Sequence, residues 1–309
     1  TDAKTKVKPA ADFVGAAKER LHSRVKTKRV FLPWPKCNES FEFRRGEVTV
    51  WAGQNGHGKT GVTTQVALSL VGQDERVCIA SFEMKPVTTI NSMVRMFAGT
   101  NPFSPEYQED RGLAVLGTLY DEFGEWTTSR LWLYDQTGTA SADSVLGMVK
   151  YCAQELGITH VFIDSLMKCV KAEDDYNGQK DFVDQVCAIA KDFDIHIHVI
   201  HHLKKPSKEG DMPDKHDTKG SGSITDQVDN LMMVWRNKPK EDARKAQGDR
   251  SNKSTEPDCY LLCRKQRTYE GSSDGEPQIA LWRHHDSSQF LAQAGDMVQF
   301  FPNYPHFQS

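Results

Sequence analysis

The apolar run from Glu47 to Ala52 gives way to Gly53-Gln54-Asn55-Gly56-His57-Gly58-Lys59-Thr60, and Gly61 leads on into residues at helical spacing. A strand, a loop of Gly-x-x-x-x-Gly-Lys-Thr spacing and a helix, in that order, commit a chain to an α/β fold. Glycines let the backbone N–H groups curl around phosphate oxygens, and the helix N-terminus adds partial positive charge there. Lys59 is expected to reach the β- and γ-phosphates, and the Thr60 hydroxyl to serve magnesium. Residues Gly53 to Gly61 therefore form the expected site for ATP or another nucleoside triphosphate with Mg2+. A glycine-rich turn with no ligand is the alternative.

The rest of the chain repeats the α/β alternation. Short apolar runs at Arg76 to Phe82, Arg130 to Tyr134, His160 to Asp164 and Ile195 to Ile200 read as strands buried on both faces. Between them, Val145, Met148, Val149, Cys152 and Leu156 line one helical face, and Phe182, Val183, Val186, Ile189, Ala190 and Phe193 another. Beyond residue 228 the strands Asn230 to Trp235, Cys259 to Arg264 and Gln278 to Arg283 follow one another without long helices. The expected fold is thus a mostly parallel sheet flanked by helices and ending in antiparallel strands. Residues 237–258 are charged and punctuated by Gly and Pro, and read as a solvated loop. Residues 1–30 read as a linker with one short amphipathic helix through Phe13, Val14, Ala17 and Leu21, which packs on its own domain or docks on a neighbouring subunit.

A formal net charge of -3 over 309 residues carries no global basic signature, so any nucleic-acid contact has to come from a local patch. The seven cysteines are scattered without a Cys-x-x-Cys pair, which argues against a disulfide framework or a zinc site and points to a reducing cytoplasm. No apolar stretch approaches the roughly 20 residues needed to span a bilayer, so no membrane partner is expected.

A phosphate loop that hydrolyses needs two further carboxylates. Asp164 closes an apolar strand at the sheet edge where ligands bind in such folds, and is the expected second anchor for magnesium. Taken alone, an Asp ending a strand is more often a cap. Ser165 follows it where an acid would serve to activate water; Glu83, which ends the neighbouring strand, is the better candidate. A surface carboxylate capping the helix near Pro86 is the alternative. Lys265 and Arg267 are two apart on an expected strand and so face the same way, suited to gripping a phosphate chain that is not their own nucleotide.

Together with the phosphate loop, the blocks Ser81-Phe82-Glu83-Met84, Val161-Phe162-Ile163-Asp164, Ile200-His201-His202-Leu203-Lys204, Lys219-Gly220-Ser221-Gly222-Ser223-Ile224 and Arg264-Lys265-Gln266-Arg267 resemble the DnaB-like, superfamily 4 replicative ring helicases, a group that includes phage primase-helicases and Twinkle. The resemblance spans roughly residues 30 to 285 and keeps the family's motif order. It implies a RecA-like motor over residues 31–309, working as a hexameric ring that translocates 5′ to 3′ on single-stranded DNA, with a primase or a helicase loader as further partner. It also implies that Glu83 activates water, that His202 senses the γ-phosphate while His201 is structural, and that Arg267 with Lys265 enters the next subunit's site as an arginine finger. Lys219, Gly220 and Gly222 are implied to contact DNA phosphates, and a second candidate loop holds Lys168 and Lys171. A recombinase or accessory ATPase of the same fold, binding DNA without unwinding it, is the competing reading; such proteins commonly carry two lysines where this chain has Lys265 and Arg267. The family usually carries a primase-like, zinc-binding or collar domain ahead of the motor, where about 30 residues stand here; with no initiator Met, the chain reads as a fragment or trimmed piece.

Overall fold

The computed structural model describes residues 7–24, 28–170, 175–203, 222–247, 255–267 and 277–303. Contacts divide the chain into two units, Thr1–Val30 and Phe31–Ser309. The first holds a short 3-10 turn running into helix α1 (Val14–Arg24), on which Phe13 and Val14 are about half exposed.

The second unit is built on one sheet. Its strands are β1 (Val48–Gly53), β2 (Val77–Ser81), β3 (Leu131–Leu133), β4 (His160–Asp164), β5 (His196–His202), β6 (Asn230–Arg236), β7 (Cys259–Gln266), β8 (Gln278–Arg283) and β9 (Phe290–Leu291). Their spatial order is β3-β2-β4-β5-β1-β6-β7-β8-β9. The pairs from β3 through β6 are parallel, and β6–β7, β7–β8 and β8–β9 are antiparallel. The parallel strands are linked by helices: α2 (Lys59–Gly72), α3 (Pro86–Ala98), α4 (Pro105–Thr127, interrupted at Gly112), α5 (Ala142–Gln154), α6 (Tyr176–Asp192) and α7 (Gly222–Gln227). This is the expected parallel sheet with antiparallel C-terminal strands.

Apolar side chains on both faces explain why the central strands are buried throughout. β1, β2 and β4 have no exposed residue, and Val145, Val149 and Cys152 of α5 and Phe182, Val183 and Val186 of α6 pack with them in one core. β3 differs from the expected doubly buried strand: its three residues are only half buried, because it is the outer strand of the sheet. All seven cysteines are buried and free.

The stretch 237–258 is not a loop throughout. Lys238–Gln247 forms helix α8, started by the Asn237 side chain accepting the Lys240 N–H at 3.1 Å and ended with Arg244 and Lys245 in its last turn. An Asn cap, an acid (Glu241) near the start and bases at the end suit the helix dipole, which outweighs the polar composition. Among the described residues, no helix is long and apolar enough to cross a membrane.

Candidate active site

Register places the ends of four parallel strands side by side. Ser81 of β2 stands opposite Asp164 of β4, and Gly53 of β1 opposite His202 of β5. The phosphate loop, Glu83, Asp164 and His202 thus emerge at one sheet edge, as ligand-binding residues do at the carboxyl ends of strands in open α/β sheets.

The loop itself requires glycine at two points. A Cβ on Gly53 would lie 2.7 Å from the Val234 carbonyl oxygen on β6, and Gly58 caps α2 with φ at 88°. Lys59 folds back over the loop, its Nζ donating to the carbonyls of Gly53 and Gln54 at 2.8 Å each. Burial lowers its ammonium to about 8, against the charges of Asp164 and Glu83, which favour the cation. Asp164 shows the reverse: burial, then the Glu83 charge, raise it to about 6 although Lys59 opposes them. A buried carboxylate short of positive charge sits beside a cavity of about 20 Å³ lined by Thr60, Thr63, Ser81 and Asp164. Hard oxygen donors around so small a space fit a magnesium ion that keeps part of its ligand shell for phosphate and water.

Glu83 lies just beyond β2. Its Oε1 is 3.3 Å from His202 Nε2 and accepts from Ser165 Oγ at 3.4 Å. His201, pointing to the other side of β5, is buried and lowered to about 4, chiefly by burial. The carboxylate expected to handle water and the imidazole expected to sense phosphate are therefore direct neighbours.

The tip of the phosphate loop is pinned from β6. The Arg236 backbone N–H donates to His57 Nδ1 at 3.2 Å, its Nη1 donates to the Gly56 carbonyl at 3.0 Å, and its Nε pairs with Glu241 on α8. Burial, followed by the charges of Lys238, Lys59 and Arg236, lowers His57 to about 4. Lys240 of α8 pairs with Asp258 at 2.7 Å. From the far end of the chain, Phe290 on β9 covers the loop: a Cβ on Gly61 would lie 3.3 Å from its ring. Gln65 of α2 fixes it by accepting the Phe290 N–H at 2.7 Å and donating to its carbonyl at 2.9 Å. Between loop, α8 and Phe290 opens a cavity of about 490 Å³ lined also by Arg236, Arg244 and His285. Sequence reasoning missed this wall. α8 had a legible cap, but nothing local in the sequence brings residues 283–290 back onto the loop.

The remaining expected residues lie elsewhere. Lys168 ends the short 3-10 turn that follows Ser165, and Gly222 opens α7, whereas Lys171, Lys219 and Gly220 fall outside the described residues. Lys265 and Arg267 both reach the C-terminal end of α7, so they do face the same way. They stand at the opposite sheet edge from the phosphate loop: β7 runs antiparallel, and Gln266 pairs with Asn230 at the start of β6. Asn230 in turn is level with Thr49 near the start of β1. Arg264 is the extra residue of a bulge there, since Leu231 pairs with Lys265 and Met232 with Cys263.

A RecA-type sheet carrying a phosphate loop, a buried carboxylate beside it and a carboxylate–imidazole pair defines a nucleoside-triphosphate-hydrolysing motor. The chain belongs to the DnaB-like helicases: the family model for the DnaB-like helicase C terminal domain matches residues 40–275. It is accordingly an ATP-dependent helicase. Among solved structures, it is similar to an isolated ATPase domain, with a TM-score of 0.73 and 16% identity over 92% of this chain and 99% of that one. It is similar too to a DnaB-like replicative helicase described with its interactions with primase, with a TM-score of 0.70 and 16% identity over 92% of this chain and 67% of that one.

Proposed function

We propose that this chain is one subunit of a hexameric ring that moves 5′ to 3′ along single-stranded DNA, each hydrolytic site being shared by two subunits. The observation that carries the reading is the placement of Arg267. From Asn230 to Arg236, β6 advances roughly 20 Å at about 3.3 Å per residue, and Arg267 lies at the start of that run while the phosphate loop lies at its end. A side chain so placed serves a second chain's nucleotide.

Within the site, the loop N–H groups from Gln54 to Gly61 and Lys59 bind the phosphates, and Thr60 with Asp164 would hold Mg2+. When bound, that ion supplies charge neutralisation on the phosphate oxygens. Glu83 orients water and takes up its proton; His202, 3.3 Å away, couples that carboxylate to the γ-phosphate. The cavity beside Phe290 takes the nucleoside. Arg267 and Lys265 reach the neighbouring site, a contribution of about 10³ to 10⁵ in rate for such a finger. Lys168, Lys171, Lys219 and the backbone of Gly220 and Gly222 form the DNA grip, with a primase or loader as a further partner.

Mixing tests the shared site directly. Arg267→Ala and Glu83→Gln chains, each inactive alone, are expected to regain DNA-stimulated ATP hydrolysis when combined, because some interfaces then pair an intact finger with an intact carboxylate. Absence of rescue at every ratio overturns the reading, as does a monomer in electron micrographs with single-stranded DNA and ATP analogue.

A further inference from the structure

Arg267 is held in place by its own chain. Its Nη1 pairs with Asp229 Oδ1 at 3.2 Å, and its Nη2 donates to the carbonyls of Asp226 and Gln227 at 3.2 and 3.3 Å. Its backbone N–H donates to the Asp229 carbonyl at 2.9 Å. Asp229 is fixed more firmly still. Its Oδ2 accepts the Val48 N–H at 3.0 Å, its own N–H donates to the Val48 carbonyl at 3.2 Å, and its side chain is 7% exposed against 46% for Arg267. Lys265 Nζ donates to the carbonyls of Thr225 and Asp226 at 2.7 and 2.8 Å.

Two cations thus sit on the C-terminal carbonyls of α7, where a helix leaves acceptors unsatisfied and partial negative charge collects. Only Arg267 also meets a carboxylate, and that carboxylate is anchored to the first residue of β1. Among the described residues, Arg267 Nε has no hydrogen-bond partner, so part of the guanidinium fork stays available to a phosphate.

We infer that Asp229 is a positioning residue for Arg267, aiming it from the surface of one subunit into the nucleotide site of the next. This rests on the shared-site reading above. A free arginine carries about 2 kcal/mol of rotamer entropy, and a misplacement of about 1 Å costs on the order of 10²-fold in rate. A rigid carboxylate that takes one edge of the fork removes much of that freedom before the neighbour arrives. A carboxylate that merely completes the α7 turn is the ordinary alternative, and the two differ in how they combine with loss of the arginine.

The test is a double-mutant cycle on the full chain, read as single-stranded-DNA-stimulated ATP turnover. Asp229→Asn keeps the acceptor for Val48 and removes the charge. It is expected to lower kcat roughly 10- to 100-fold with KM for ATP unchanged, and to cause no further loss in an Arg267→Ala background. Asp229→Asn chains are expected to be rescued by Glu83→Gln chains and not by Arg267→Ala chains. Asp229→Glu, which keeps the charge one methylene further out, should show a smaller loss that likewise disappears without Arg267, and it carries the cycle if the Asn variant does not fold. A full additional loss in the Arg267→Ala background, or wild-type kcat in both Asp229 variants, overturns the role of Asp229. Failure of Arg267→Ala and Glu83→Gln to rescue each other overturns the shared site and this inference with it. Rescue there, with wild-type kcat at Asp229, overturns this inference alone.

Discussion

Asp164→Asn is expected to make the nucleotide-free protein more stable while abolishing its hydrolysis. Burial, with the Glu83 charge added, raises Asp164 from an ordinary 3.8 to about 6. Each tenfold change in proton affinity is about 1.36 kcal/mol, so holding this carboxylate charged costs the fold about 3 kcal/mol at pH 7. The sign follows from linkage. A carboxylate whose folded pKa is raised binds more protons folded than unfolded between 3.8 and about 6, so stability is greatest below that window and is lost as pH rises through it. Asn, of nearly the same shape, does not carry that cost.

Urea unfolding of nucleotide-free wild type and Asp164→Asn measures the difference. The variant is expected to be more stable by about 3 kcal/mol at pH 7 and by about half that at pH 5, where the wild-type group is already largely protonated when folded. Addition of magnesium and ATP should raise the stability of wild type and leave the variant's nearly unmoved, since ligand stabilises only what binds it. A variant no more stable than wild type at pH 7, or one with the same advantage at both pH values, refutes the claim that Asp164 is an uncompensated buried charge awaiting a cation.

Three shorter predictions accompany it. Lys59→Ala should eliminate DNA-stimulated hydrolysis with the fold retained by circular dichroism; turnover near wild type removes the phosphate-loop assignment. His202→Ala deletes a contact to the Glu83 carboxylate worth about 1.5–3 kcal/mol, so DNA-stimulated kcat is expected to fall roughly ten- to a hundredfold at unchanged KM for ATP; steady-state kinetics with equal loss with and without DNA would argue against a sensing role. Affinity for single-stranded DNA should fall steeply with salt, by a slope of about 0.7 per phosphate contacted, and Lys219→Ala should reduce that slope in fluorescence titrations; a salt-independent affinity sinks the phosphate-contact reading.

Most of the sheet was legible because its strands are apolar on both faces and short, a pattern few other elements share. His160–Asp164 and Gln278–Arg283 have the expected bounds to the residue, and the others shift by one to three residues at their ends. Both carboxylates and the imidazole were legible for a related reason: a polar residue directly after an apolar run marks a strand's end, and in a parallel sheet those ends share one edge. What stayed hidden depended on partners far along the chain. The Arg264 bulge is a property of how β7 meets β6, not of either strand. Phe290 reaches the phosphate loop only through the Gln65 amide, 225 residues away. α8 was misread because its charged composition was weighed above its Asn237 cap.

The two sheet edges also assign the chain's polarity. β1 is buried along all six residues, ends in the phosphate loop, and begins at Val48, whose N–H and carbonyl are both held by Asp229. One rigid strand thus carries a subunit's own nucleotide loop at one end and the anchor of its arginine at the other. Parallel pairing fixes β5 and β6 to β1 in register, so neither end has a neighbouring strand on which to slide independently. A chain with its nucleotide-binding and phosphate-completing groups at opposite edges cannot close on itself. It can complete a site only by presenting one edge to the other edge of a copy. Repeated identically, that head-to-tail contact closes into a ring if the rotation per subunit divides a full turn and otherwise winds into a filament.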